Sequence, residues 1–238
     1  MRVFRFSFLV VVLFAFAGVS PLNPSSDKSL LGTEWPQPVV TSAEKLLNGA
    51  SAYLTTRRYV LDSTRSKFVA RAFSGGLLWF KGHDHFIAVR EFTGEAEITP
   101  ESITPASLQL TAKAASMVET RDVFTEPQKQ IINKELREIV LLPEQYPNIV
   151  FKSNNVSGKA IGNNVYDLKI AGALTLNGVT RPITIPTRVT LTGNELRAQG
   201  KFSIKRSYFK VKATSAFHGM VRVRDKVQFE FEIIGQQR

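Results

Sequence analysis

Strict alternation over the last 180 or so residues limits most what this chain can fold into. In MVRVRDKVQFEFEII, Val221, Val223, Val227, Phe229, Phe231 and Ile233 share one face at a period of two, broken only at Asp225, with Arg, Lys, Gln and Glu on the other. A period of two places one set of side chains on each face of an extended strand, so these segments bury one face and wet the other. The same pattern runs through SKFVARAF (Phe68, Ala70, Ala72), DLKIAGALTL (Leu168, Ile170, Gly172, Leu174, Leu176) and LRAQGKFSI (Leu196, Ala198, Gly200, Phe202, Ile204). Between such runs lie Asn163-Asn164, Asn177-Gly178 and Gly193-Asn194, dipeptides that accept the positive φ of tight hairpin turns. About eight strands on short connections predict a mainly β, antiparallel barrel or sandwich from residue 58 to residue 236.

One segment departs from that period. TEPQKQIINKELREIVLLP offers Thr125 as N-cap with Gln128 three residues on, which is capping-box spacing. Pro127 fits the first turn, Ile132, Leu136, Ile139 and Val140 form an apolar stripe, and Pro143 stops the helix. A single amphipathic helix among strands has one face to bury. Lying across an open end or flank of the barrel, it would act as a lid.

The N-terminus reads differently again. MRVFRFSFLVVVLFAFAGVS carries Arg2 and Arg5, an apolar run from Phe6 to Ala17, then small residues, the pattern of an export signal over residues 1–17. The run is short of the roughly 20 apolar residues that span a bilayer, with an uncleaved anchor as the alternative. Cleavage would leave 29 basic residues (31 − 2) against 20 acidic ones, a net charge of +9. Residues 18–57 are rich in Pro and Ser and read as a tether, with a short helix near Ala43–Leu54. The absence of cysteine excludes disulfides, thiolate nucleophiles and a lipid-modified N-terminal cysteine.

Four motifs in order carry a resemblance. GALTLNGVTRPITIP (Gly172–Pro186), YPNIVFKS (Tyr146–Ser153), FTGEAEI (Phe92–Ile98) and FSIKRSYF (Phe202–Phe209) resemble the YceI-like family over about residues 58–235. That resemblance implies an exported, lipocalin-like barrel that binds polyisoprenoid lipids. Tyr208 stands where the family often has Asp, so any role attached to that acid does not carry over.

Two of the three histidines sit in KGHDHF (Lys81–Phe86), around Asp84. In an extended segment His83 and His85 share one face and Asp84 takes the other. Such a pair shapes the entry to a strand at the barrel rim, contacts a ligand, or holds a metal. A catalytic zinc wants three protein ligands, and the only other histidine is His218. The rim reading is preferred; no metal, cofactor or catalytic residue is assigned. Neither a G-x-S-x-G nor a phosphate-binding glycine loop is present, and Glu95 and Glu97 read as a solvated outer face.

The chain therefore reads as a binder rather than an enzyme, its ligand an amphiphilic isoprenoid-like lipid carried or sequestered in the barrel. The expected cavity lining is Phe68, Ala70, Phe86, Ala88, Phe92, Leu108, Leu110, Phe151, Leu174, Leu176, Phe202, Ile204, Phe229 and Phe231. Small residues at Ala70, Ala72, Ala88, Gly172 and Gly200 are expected to leave the room. A second class of reading starts from Lys201, Lys205, Arg206, Lys210 and Lys212, interleaved with Phe202, Tyr208 and Phe209. Such a patch suits a nucleic-acid surface. Export argues against that, and favours a solvated basic rim that meets anionic lipid headgroups or pyrophosphate, with transient membrane contact. A third class, a metal- or haem-handling protein, rests on the His83/His85 pair.

Overall fold

The computed structural model describes residues 55–100, 102–216 and 220–238. The export signal, the tether with its short helix, and His218 lie outside the described residues. Strand β1 (Arg57–Gly75) starts the sheet, which passes through β3 (Phe92–Thr99), β4 (Ile103–Lys113), β6 (Asn148–Gly162), β7 (Val165–Leu176), β8 (Val179–Thr192), β9 (Glu195–Lys205) and β11 (Val221–Gln237). Every neighbour is antiparallel, and β11 closes on β1 with Phe68 opposite Phe231 and Ala70 opposite Phe229. Closure removes the unpaired edges that an open sheet of this length would expose. The result is an eight-stranded barrel.

Short strands finish one end. β2 (His85–Val89) pairs with the upper part of β1, β5 (Met117–Glu119) with β2, and β10 (Ser215–Ala216) with β11. Thus β2 prolongs β3, and β5 prolongs β4, each past a kink. At the first kink Glu91 keeps its backbone partners, accepting from Lys113 N at 2.9 Å and donating to Ser116 Oγ at 3.0 Å. This kink matters for function because it shifts the alternation by one residue.

Helix α1 (Glu126–Glu135) continues into a π-helical turn (Leu136–Leu141) that ends at Leu142, whose φ is +48°. Gln128 Oε1 accepts from the Thr125 amide at 2.8 Å, the backbone-directed arm expected of a capping box. Two bonds tie the helix down: Glu119 N donates to Asn133 Oδ1 at 2.8 Å, and Asn177 Nδ2 donates to Val140 O at 3.4 Å. The wider π turn moves the apolar stripe, so Val140 and Leu141 face the barrel and Ile139, expected in the stripe, is exposed.

The two ends differ. The floor, near the β3–β4, β6–β7 and β8–β9 turns, is packed solid by Tyr59, Ile98, Ile103, Tyr166 and Leu191, all buried. The other end carries the β1–β2 connection, helix α1, the β7–β8 turn and the β9–β11 connection. Helix α1 lies at this second end, which is the mouth.

Candidate ligand cavity

A cavity of about 640 Å³ runs down the barrel from the mouth to above the floor. That is within the ~300–1,000 Å³ of small-molecule sites. Its deep wall is apolar: Leu61, Ala96 and Ile98 on one side, Leu168, Ile170, Ile185, Val189 and Leu196 on the other. Polar groups gather at the mouth, where Lys81, His83, His85, Gln128, Glu135, Arg206 and Lys212 line the opening.

Most of the side chains expected at the lumen are there: Phe68, Ala70, Leu108, Leu110, Phe151, Leu174, Leu176, Phe202, Ile204, Phe229 and Phe231. The β1–β11–β9 wall is aromatic, with Phe202 stacked on Phe229 (centroids 4.9 Å, 11°) and Phe68 against Phe229 and Phe231 at 6.1 Å. Three expected residues are not at the lumen. In β2 the inward residues are His85, Ile87 and Val89, so Phe86 turns outward between Arg71 and Arg121, whose guanidinium carbons lie 5.4 and 5.3 Å from its ring. Ala88 shares that outward phase. The kink at Arg90–Glu91 is the reason, because a one-residue slip exchanges the faces of a strand. The sequence held the signal: if Phe86 and Ala88 faced inward, so would Arg90. Phe92 does point to the core, but it packs edge-on against Phe68 (6.4 Å) and stays behind the wall.

Glycines 172 and 200 also act differently from expectation. A Cβ at Gly172 would meet Lys152 O at 2.4 Å and Phe151 Cζ at 2.7 Å; one at Gly200 would meet Pro186 O at 2.4 Å and Phe231 Cζ at 2.6 Å. They do not enlarge the lumen. They let the Phe151 and Phe231 rings lie flat against the wall. Room comes instead from Ala70, Ala72, Ala96, Ala106 and Ala198.

The KGHDHF segment is a clamp at the mouth. His83 and His85 both line the opening, while Asp84 faces outward and takes two bonds from Arg71 (2.7 and 3.1 Å) and one from Ser74 N (3.0 Å). Burial pushes the Asp84 carboxyl up, but the Arg71 and Ser74 bonds outweigh it and hold the group below its ordinary range. His85 Nδ1 meets Glu119 Oε2 at 2.8 Å, and the imidazole stacks on Phe124 (5.2 Å, 9°). Glu119 is 3% exposed, and its Oε1 accepts the amides of Phe86, Thr120 and Arg121. Burial pushes this carboxyl up as well, and the His85 bond with the Arg121 and Phe86 amides hold it down. Glu119 is the partner that sequence reasoning missed, since nothing in MVET marks a buried acid 34 residues from its histidine. Among the described residues no three His, Cys, Asp or Glu side chains gather as metal ligands.

The basic run divides. Lys201 lies on the outer wall and pairs with Glu230 at 3.0 Å, Phe202 is luminal, and Phe209 is buried. Arg206 stays at the mouth: Nη1 donates to Val211 O at 2.9 Å, while Nε is buried without a partner among the described residues. Glu95 and Glu97 lie on the outside, both bridged to Arg58 at 3.9 and 2.9 Å.

A family model described as YceI-like domain matches residues 59–234. The chain belongs to the YceI-like domain family. Its barrel is similar to Burkholderia cenocepacia BcnA, with 24% identity, a TM-score of 0.57, and 73% of this chain and 98% of that one covered. It is also similar to a polyisoprenoid-binding domain from Saccharophagus degradans implicated in plant cell wall breakdown (16% identity, TM-score 0.51, 76% and 98% covered). At such identities the likeness shows the fold alone. No curated sequence matches the chain. In the YceI-like barrel the GALTLNGVTRPITIP motif is the β7–β8 hairpin, whose Asn177 and Gly178 take φ of +52° and +71°. The Tyr146 ring of YPNIVFKS covers Gly178, where a Cβ would lie 2.7 Å from Cε1.

Proposed function

We propose that this protein is a non-enzymatic carrier that holds one amphiphilic, isoprenoid-like lipid, tail in the barrel and headgroup at the mouth. The observation that carries the reading is the polarity gradient of one cavity, largely apolar along its depth, where Thr187 is a buried polar exception, and basic at the opening, where His83, Arg206 and Lys212 stand. Each methylene buried there stabilises the complex by about 0.8 kcal/mol. A tail of ten such groups thus supplies ~8 kcal/mol before association costs, so no polar contact in the depth is needed. A branched, unsaturated chain suits a wall of Phe, Leu and Ile, and the family membership and the Saccharophagus neighbour's description point to the same ligand class.

At the mouth the headgroup meets His83, Arg206 and Lys212. Arg206 Nε, buried and unpartnered, favours an acceptor there, because a buried donor left without one costs about 1–3 kcal/mol. Residues 1–17 fit export, so the carrier works outside the cytoplasm, in the periplasm or beyond. The test is native mass spectrometry of protein from its own host, followed by lipid extraction. A 1:1 adduct that yields a prenyl lipid supports the reading; protein repeatedly free of lipid, and unable to take up a prenyl alcohol or prenyl phosphate, overturns it.

A further inference from the structure

Large apolar side chains exposed on this barrel are confined almost entirely to one end. Leu77 and Phe80 lie on the β1–β2 connection, Val123, Ile131 and Ile139 around helix α1, and Tyr208 and Met220 on the β9–β11 connection. All of these are at the mouth; the exception among the described residues is Ile161, at the end of β6 beside the floor. Exposed apolar residues scattered singly need no explanation, but a cluster around an opening does.

Four of them stand on two connections that touch and together make one lobe of the rim. Leu78 N donates to Met220 O at 3.0 Å, so the β1–β2 and β9–β11 connections touch. Leu77 (78% exposed), Phe80 (63%), Tyr208 (57%) and Met220 (39%) stand on those two connections. The charge around them is one-sided. Residues 76–84 and 205–226 contain Lys81, Lys205, Arg206, Lys210, Lys212, Arg222, Arg224 and Lys226 against two acids. Both acids are engaged within the protein: Asp84 by Arg71, and Asp225 by the Ser207 amide (2.9 Å) and hydroxyl (2.8 Å). Across the mouth, residues 121–144 around α1 hold four basic and five acidic side chains. The lobe alone combines apolar tips with a cationic collar.

We infer that this lobe docks on the surface of an anionic bilayer and sets the cavity mouth against the headgroups from which the ligand leaves or to which it returns. Leu77, Phe80 and Met220 enter the headgroup boundary. Tyr208 suits that boundary with an apolar ring and a polar tip, and its ring lies 5.2 Å from Lys205 Nζ. Lysines on long stems reach anionic phosphates while their methylenes lie along the apolar tips. Docking goes beyond the carrier reading and does not depend on which lipid fills the cavity, so either can fail alone.

The chain contains no cysteine, so one introduced thiol gives one labelled site. Leu77→Cys and, at the opposite end, Ile161→Cys each carry a polarity-sensitive fluorophore on the full chain. Vesicles of phosphatidylcholine alone are compared with vesicles containing phosphatidylglycerol. The expected result is a blue shift at position 77 on anionic vesicles, weak on neutral ones, reversed by salt, and absent at position 161. Lys205→Ser with Lys210→Ser should raise the lipid concentration for half-maximal shift about 25-fold, roughly 5-fold per charge. No shift at position 77, or equal shifts at both ends, overturns the proposal. A shift at position 77 that appears without vesicles and grows with protein concentration also overturns it, and assigns the lobe to self-association.

Discussion

Floor and mouth are two ends of the same eight strands, yet the chain builds them by different means. The floor is an ordinary core: Tyr59, Ile103, Tyr166 and Leu191 fill the barrel, and the turns beneath are short. The mouth is held by polar bonds across long connections, with His85 on Glu119, Arg71 on Asp84 and Asn133 on the Glu119 amide. Burial of apolar groups is insensitive to pH and salt; ion pairs and hydrogen bonds are not. A binding barrel needs this asymmetry, one end that never opens and one that can.

The sharpest way to break that comparison is to overfill the middle. Gly172→Leu or Gly200→Leu drives a side chain into a neighbouring carbonyl and a phenylalanine ring. We expect destabilisation by about 3 kcal/mol or more, beyond ordinary overpacking of 1–3 kcal/mol, read by thermal and urea unfolding. Ala70→Leu points into the lumen instead. It should leave the melting temperature of lipid-free protein nearly unchanged and sharply weaken uptake of a prenyl lipid. Equal destabilisation by all three variants would mean a packed barrel without a usable lumen.

Next in size is the mouth clamp. Glu119→Gln replaces the buried carboxylate that meets His85 Nδ1 and accepts three backbone amides, and should cost about 1–3 kcal/mol at neutral pH. Glu119 is held below its ordinary 4.5, so its contribution is complete above that value and is lost as pH falls through the lowered one. Asp84 behaves likewise. Protection of the Phe86, Thr120 and Arg121 amides, taken relative to their intrinsic exchange rates, should therefore fall in acid as Glu119 protonates. The floor acids Asp62 and Glu195 are also shifted down, but their partners lie at the surface, where such pairs matter little. Floor amides should hold through the same range, and Glu119→Gln should flatten the acid response of the mouth.

The smallest effect belongs to the floor. Tyr59 is wholly buried and its hydroxyl has no partner among the described residues. Tyr59→Phe should change stability by less than about 0.5 kcal/mol or raise it, since the change removes an uncompensated polar group. A loss above 1 kcal/mol in urea unfolding would show that the hydroxyl is satisfied in solution.

The barrel was legible in the sequence because alternation is a local signal and each hairpin dipeptide marks its own turn. Val221 to Ile233 and Leu168 to Leu176 face as their pattern says. What was hidden depends on neighbours distant in sequence. Phe86 and Ala88 were misassigned because the kink at Arg90–Glu91 is held by Lys113 and Ser116, from another strand. Gly172 and Gly200 look like gaps along the chain, yet rings from the adjacent strands cover them. His85 was visible and Glu119 was not, because only closure of β2 on β5 brings them together. Position along a strand reads out directly; which ring covers which glycine requires the closed sheet.

The barrel is closed at Tyr59 and Tyr166 and open at His83 and Arg206, so its depth should set a limit on the length of the tail it holds. Lipid-free protein is titrated with prenyl alcohols of increasing length and affinity is measured by calorimetry. Affinity should rise with each unit, by up to about 0.8 kcal/mol per buried methylene, until the tail reaches the floor, and then stay level. Tyr166→Ala, which removes part of the floor, should move that break to a longer chain. Affinity independent of length, or a break that Tyr166→Ala leaves in place, would contradict the account.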